Sequence, residues 1–248
     1  MFLKVVACEV VFREVCYCAA RSPNQVDLEF LSQGYHDNPE VGLARLQAIL
    51  DAAEPGRFDA ILMGYGLCNN MLAGLRAPSH TRVVIPRAHD CITFFYGSKE
   101  RYRAEFDACP GTYVYTSGWL EHRERGGERP QRPQSASLGG DQSYAEMVAR
   151  YGEDNAQYLQ QFLGNWTSHY NRGVYINFDF TAHLPYREQA RQICADRGWE
   201  FVEIDGDLGL IQAWLDGPWP GREFLVVEPG QRVIPSYDDA ILQITPAG

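Results

Sequence analysis

Several familiar signatures are missing from this chain, and each absence narrows what it does. No CxxC pair occurs, so the spacing that most often marks a structural zinc site is lacking. Neither GxGxxG nor GxxxxGKS or GxxxxGKT is completed, which leaves a dinucleotide or ATP site poorly supported. GxSxG, the elbow of a serine hydrolase, does not appear. No apolar run approaches the roughly 20 residues that span a bilayer, and Glu9 with the following VFREV interrupts the apolar start before it becomes a signal-peptide core. Basic residues are scarce: 22 Lys and Arg face 32 Asp and Glu, and the net charge of -10 disfavours nucleic acid or an anionic membrane as partner. A soluble cytoplasmic protein is expected. Its seven cysteines, an odd number without an export signal, read as thiols rather than as a disulfide framework.

What is present centres on Asp59 to Cys91. Two short apolar runs, Ala60 to Met63 and Val83 to Ile85, have the length and β-branched content of strands buried on both faces. The first runs into Gly64-Tyr65-Gly66-Leu67-Cys68 and the second into Pro86-Arg87-Ala88-His89-Asp90-Cys91. Leu3 to Ala7 reads as a strand that ends in Cys8 in the same way. Ligands of open α/β sheets bind outside the carboxyl ends of the strands, where all three cysteines would lie. Neighbouring parallel strands are about 4.8 Å apart, so three thiolates leaving adjacent ends can share an ion or cluster and leave one position open. Against this stands the habit of buried cysteines to act as small core hydrophobes. Cys16, Cys18, Cys109 and Cys194, away from strand exits, are expected to be packing residues.

Around this centre the chain alternates strands and helices. A helix is expected over Val11 to Ala20, a strand over Val26 to Leu31, and a helix from Pro39 to about Ala53, with Asn38 as its cap. Cys91 to Tyr96 and Lys99 to Ala108 read as helical, Thr112 to Thr116 as a strand leaving through Ser117-Gly118-Trp119. After a stretch rich in Arg, Gly, Pro and Ser, a helix is expected from Ser143 to about Tyr170, then a second series of strands at 174–178, 200–204 and 224–227 with helices at 185–197 and 208–215. The expected fold is α/β, with parallel Rossmann-like sheets built from βαβ units. The expected division is an N-terminal lobe over 1–120, a linker or lid over 121–142 and a C-terminal helix and second lobe over 143–248.

Beside the sulfurs, His89 suits proton transfer, since histidine titrates near neutrality, and Asp90 either joins it or caps the following helix. His36, in another strand-exit loop, is a further candidate. Arg87, Tyr65 and Trp119 are expected to bind the substrate, with Arg87 orienting an anionic group.

The motifs together resemble one family, the uncharacterised DUF1638: ACE at Ala7 to Glu9, the His36 loop, GYGLC at Gly64 to Cys68, PRAHDC at Pro86 to Cys91, SGW at Ser117 to Trp119, and the weaker VVEPG ending at Gly230. The resemblance carries no established reaction; it implies a setting in corrinoid-dependent methyl metabolism, hence corrinoid proteins as partners. By fold-level analogy, quinolinate synthase and the 2-hydroxyacyl-CoA dehydratases use Rossmann-like lobes to lend cysteines to a cubane with one exposed iron. The leading expectation is a metalloenzyme in which Cys8, Cys68 and Cys91 hold a [4Fe-4S] cluster that acts as Lewis acid on a small-molecule substrate. Zinc on the same ligands for methyl transfer, a non-enzymatic carrier of metal, cluster or corrinoid, and plain packing are the alternatives.

Overall fold

The computed structural model describes residues 1–124, 153 and 170–245. Its larger sheet has five strands in the order β2-β1-β3-β4-β8: β1 (Phe2–Cys8), β2 (Gln25–Leu31), β3 (Ala60–Gly64), β4 (Val83–Pro86) and β8 (Phe224–Val227). The first four are mutually parallel. A second, all-parallel sheet has the order β5-β6-β7, formed by Thr112–Tyr115, Arg172–Asn177 and Glu200–Asp205. The fold is therefore α/β with parallel sheets. Among the described residues, no helix is long and apolar enough to cross a membrane.

The continuous apolar character of β1, β3 and β4 has a direct cause: both faces of the sheet are covered. Leu3, Val5, Ala7, Leu62 and Val84 point to one side, where they meet helices α1 (Phe12–Ala19) and α7 (Gly209–Asp216) and the inner face of the second sheet. Val6, Ile61, Met63, Val83 and Ile85 point to the other, against α2 (Pro39–Asp51) and the C-terminal hairpin of β9 (Val233–Pro235) and β10 (Leu242–Ile244). The second sheet carries α6 (Tyr186–Arg197) on its outer face, where Cys194 packs so tightly over Gly173 that a Cβ there would lie 2.2 Å from its sulfur. Cys18 is equally buried, whereas Cys16 and Cys109 keep partial exposure.

Asn38 caps α2 through a 3.4 Å bond from the Val41 amide, with Pro39 in the first turn. Two elements depart from the sequence expectation. Phe224–Val227, expected to extend the second series, pairs antiparallel with β4 and closes the first sheet. Ser117-Gly118-Trp119, expected as a loop, opens helix α5 (Ser117–Glu124), whose Gly118 sits against the Val10 carbonyl where a side chain has no room. The helix expected over 143–170 and most of the 121–142 segment lie outside the described residues.

Glu14 on α1 is fully buried. Burial pushes its carboxyl up to about 7, against smaller pulls from its own amide, the Arg13 guanidinium and the Ser117 hydroxyl. A carboxyl whose pKa rises on folding contributes stability below its unfolded value of 4.5, and that contribution is lost as pH rises through about 7. Glu14→Gln removes the ionisation, so thermal melts should show the variant gaining about 2–3 kcal/mol on the parent between pH 5 and pH 8; parallel curves for the two proteins would contradict this.

Candidate functional site

Strand register brings the two cysteine loops together. β1 pairs with β3 until Ala7 faces Gly64, which places Cys8 beside the start of the Gly64–Cys68 loop. Beyond the paired residues of β3 and β4, two further backbone bonds continue the strapping: the Leu67 amide donates to the Ala88 carbonyl and the Cys68 amide to the His89 carbonyl, each at 2.8 Å. Gly66 lies where a Cβ would approach the Asp90 backbone to 2.7 Å, so this step of the loop has no room for a side chain. Cys68, Asn69 and Asn70 then follow with φ of 43°, 57° and 65°, three successive non-glycine residues in the left-handed region. Asparagine tolerates that conformation better than most residues, and such strain concentrates at ligand sites.

Cys8, Cys68 and Cys91 all line one cavity of about 410 Å³, between the carboxyl edge of the first sheet and β5. Each keeps some accessible surface, which opens onto this cavity. Elsewhere protein surrounds them, and burial pushes the Cys8 and Cys68 thiols up to about 12 and the Cys91 thiol well above its ordinary value. Negative charge on the neighbouring sulfurs and on Asp90 adds to the rise at Cys68 and Cys91. Backbone amides work in the opposite direction: that of Val10 donates to Cys8, and those of Gly66 and Cys91 donate to Cys68.

Asp90 and Tyr65 share the cavity wall. Asp90 accepts from the Ile92 amide at 2.9 Å and from the Tyr102 hydroxyl at 3.0 Å, so it caps α3 (Ile92–Tyr96) and also reaches the cavity. Burial raises its pKa, offset in part by those two bonds. The Tyr65 ring is buried, and its hydroxyl has no hydrogen-bond partner among the described residues. Trp119 lines the cavity from α5.

Two residues expected at the site are elsewhere. His89 is exposed and does not line the cavity, because the turn that aims Asp90 and Cys91 inward sends it to solvent. Arg87 points to the C-terminal segment, donating to the carbonyls of Phe224 at 3.3 Å, Ala240 at 2.8 Å and Leu242. With Nε and Nη1 bonded to backbone carbonyls and no place in the cavity lining, it is an anchor rather than a substrate clamp. His36 lies on the 3-10 turn Gln33–Asp37, with its side chain outside the description. Sequence reasoning missed the aromatic wall from Tyr96, Tyr102, Phe106, Tyr113 and Tyr170. The density of rings between Phe94 and Tyr115 was the available signal.

A family model described as a protein of unknown function, DUF1638, matches residues 30–215. The chain belongs to the DUF1638 family. Cys68, Cys91 and the SGW segment fall inside the matched stretch, whereas Cys8 and the VVEPG ending at Gly230 fall outside it. No curated protein and no solved structure matches the chain.

Two outcomes are expected. Arg87→Met should lower stability by about 2–3 kcal/mol through its lost charge-assisted bonds, about 5–10 °C in melting temperature, and leave the cavity's ligands unaffected; loss of ligand binding without a change in melting would restore it to the site. In metal-free protein at pH 8, iodoacetamide followed by mass spectrometry should label Cys109, whose pKa is lowered first by the Thr112 hydroxyl, well before the three cavity thiols. Labelling of those three should accelerate only as pH climbs into the alkaline range; fast labelling of Cys68 at pH 8 would contradict the shielding described above.

Proposed function

We propose that this DUF1638 protein is a metalloenzyme whose Cys8, Cys68 and Cys91 hold a [4Fe-4S] cluster facing a small-molecule cavity. The observation that carries the reading is the convergence of three sulfurs, from three adjacent parallel strands, on the wall of one cavity. Among the described residues, no three His, Cys, Asp or Glu side chains are grouped closely enough to hold a metal ion as they stand. A single zinc ion would require sulfurs about 3.8 Å apart, given Zn–S bonds of about 2.3 Å at a tetrahedral centre. A cubane takes each thiolate at a different iron, so its ligands stand further apart. Cluster and zinc therefore differ in the sulfur spacing they require. Amides of Val10, Gly66 and Cys91 directed at the sulfurs fit as well, because hydrogen bonds to ligating sulfur stabilise the thiolate and tune a cluster.

A cluster bound by three thiolates supplies one iron without a protein ligand, a Lewis-acid position. The chain's own residues contribute the rest. Asp90, with its raised pKa and the Tyr102 hydroxyl on Oδ2, exchanges a proton at the cavity wall. The Tyr65 hydroxyl, beside Cys8 and Cys68 and without another partner among the described residues, is available to donate to a bound oxygen or nitrogen atom. Trp119 and the neighbouring tyrosines exclude water and orient the substrate.

Protein prepared without oxygen should be brown, absorb near 400 nm and contain about four irons and four sulfides per chain, as the cubane requires. Cys68→Ser should abolish that chromophore and Cys194→Ser should retain it. Stoichiometric zinc in colourless protein, or a chromophore that survives Cys68→Ser, would defeat the assignment.

A further inference from the structure

The outer part of the same cavity has a composition that selects among ligands. Its wall carries the rings of Tyr102, Phe106, Tyr113, Trp119 and Tyr170. Its only charged side chains among the described residues are acids, Asp90 and Glu105; no Lys, Arg or His lines it. The Arg172 guanidinium forms an ion pair with the Glu105 carboxylate at 3.8 Å but is not part of the wall. An anionic substrate would enter an apolar, acid-bearing space with no lining cation among the described residues to meet it, which desolvation makes costly. A neutral apolar molecule would fill the space without using the two carboxylates. An alkylated ammonium group satisfies both features: it is weakly hydrated, it is attracted to ring faces, and it balances acidic charge. The same ring chemistry operates just behind the wall, where the Arg101 guanidinium lies 5.5 Å from the centre of the Tyr96 ring.

We propose that the outer cavity binds a quaternary or otherwise alkylated ammonium group, with Phe106, Tyr113 and Trp119 as the rings and Glu105 as the counter-charge. The inference rests on the reading of this cavity as the substrate site, and it gives that site a substrate class: small molecules with a cationic, methyl-rich nitrogen. Glu105 and the half-exposed Phe106 sit at the mouth, and Asp90 sits deeper beside the sulfurs. A ligand held by its ammonium group at the mouth would thus extend its remaining atoms toward the thiols.

Titration calorimetry at fixed ionic strength tests this with three probes of nearly one shape: choline, its uncharged carbon isostere 3,3-dimethylbutan-1-ol, and the anion 3,3-dimethylbutyrate. Choline should bind with a millimolar or tighter Kd, at least ten-fold tighter than the alcohol, and the anion should not bind. Glu105→Gln, at a partly exposed position, and Phe106→Ala, at an exposed one, both outside the core, should each weaken choline at least five-fold. Equal binding of choline and the alcohol, measurable binding of the anion, or no heat from choline would overturn the proposal. Running the titration on the parent and on Cys68→Ser separates the two readings. Choline binding in parent protein that shows no chromophore, and equally in Cys68→Ser, would leave this inference standing and remove the cluster; a parent with a chromophore but no choline binding would do the reverse.

Discussion

Everything at the site depends on how far the pairing of β3 and β4 persists beyond the strands themselves. The two amide bonds from Leu67 and Cys68 to the Ala88 and His89 carbonyls hold one cysteine loop against the other, and the missing side chain at Gly66 lets the backbones touch. Strand register supplies the third member, because Ala7 opposite Gly64 fixes where Cys8 leaves β1. A left-handed run of three residues starting at Cys68 costs conformational energy that an isolated loop would release. Here the flanking bonds over-determine it. The loop is thus held open toward the cavity.

Electrostatics at that edge disfavours ionisation of the sulfurs as the site stands. Three shielded thiols, Asp90 and Glu105 share one space, and among the described residues no basic side chain lines it. The three thiols and Asp90 are kept toward their neutral forms, chiefly by burial, which is why the sulfurs are poor nucleophiles on their own. Positive charge reverses the balance, so filling the site and losing protons are linked events. The amides directed at Cys8 and Cys68 prepare the thiolate form in advance.

Much of this was legible in the sequence because it is local. β-branched runs ending in Gly or Pro marked β3 and β4, Asn38-Pro39 marked the start of α2, and the repeated placement of a cysteine after a strand located one end of the cavity. What was not legible depends on contacts distant along the chain. Arg87 reads as an anion clamp until the carbonyls of Phe224, Ala240 and Leu242 are seen to occupy it. His89 and Asp90 are adjacent in sequence, and only the turn geometry decides that one faces solvent and the other the sulfurs. The SGW segment carries loop-like residues, but packing of Gly118 on the Val10 carbonyl favours a helix. The aromatic wall was hidden because rings at helical and strand spacing read equally well as core.

The antiparallel strand at the edge of the first sheet has a bearing on biogenesis. Its residues come late in the chain, yet they complete a sheet whose other members all lie at or before Pro86. Translation proceeds at about 5–20 residues per second, so for several seconds the nascent polypeptide exposes the free edge of β4, the very strand that leads to Cys91. Non-local pairings of this kind are made late in folding. On the cluster proposal, delivery during synthesis would therefore meet an unfinished edge, and insertion after release from the ribosome is the order of events that this topology favours.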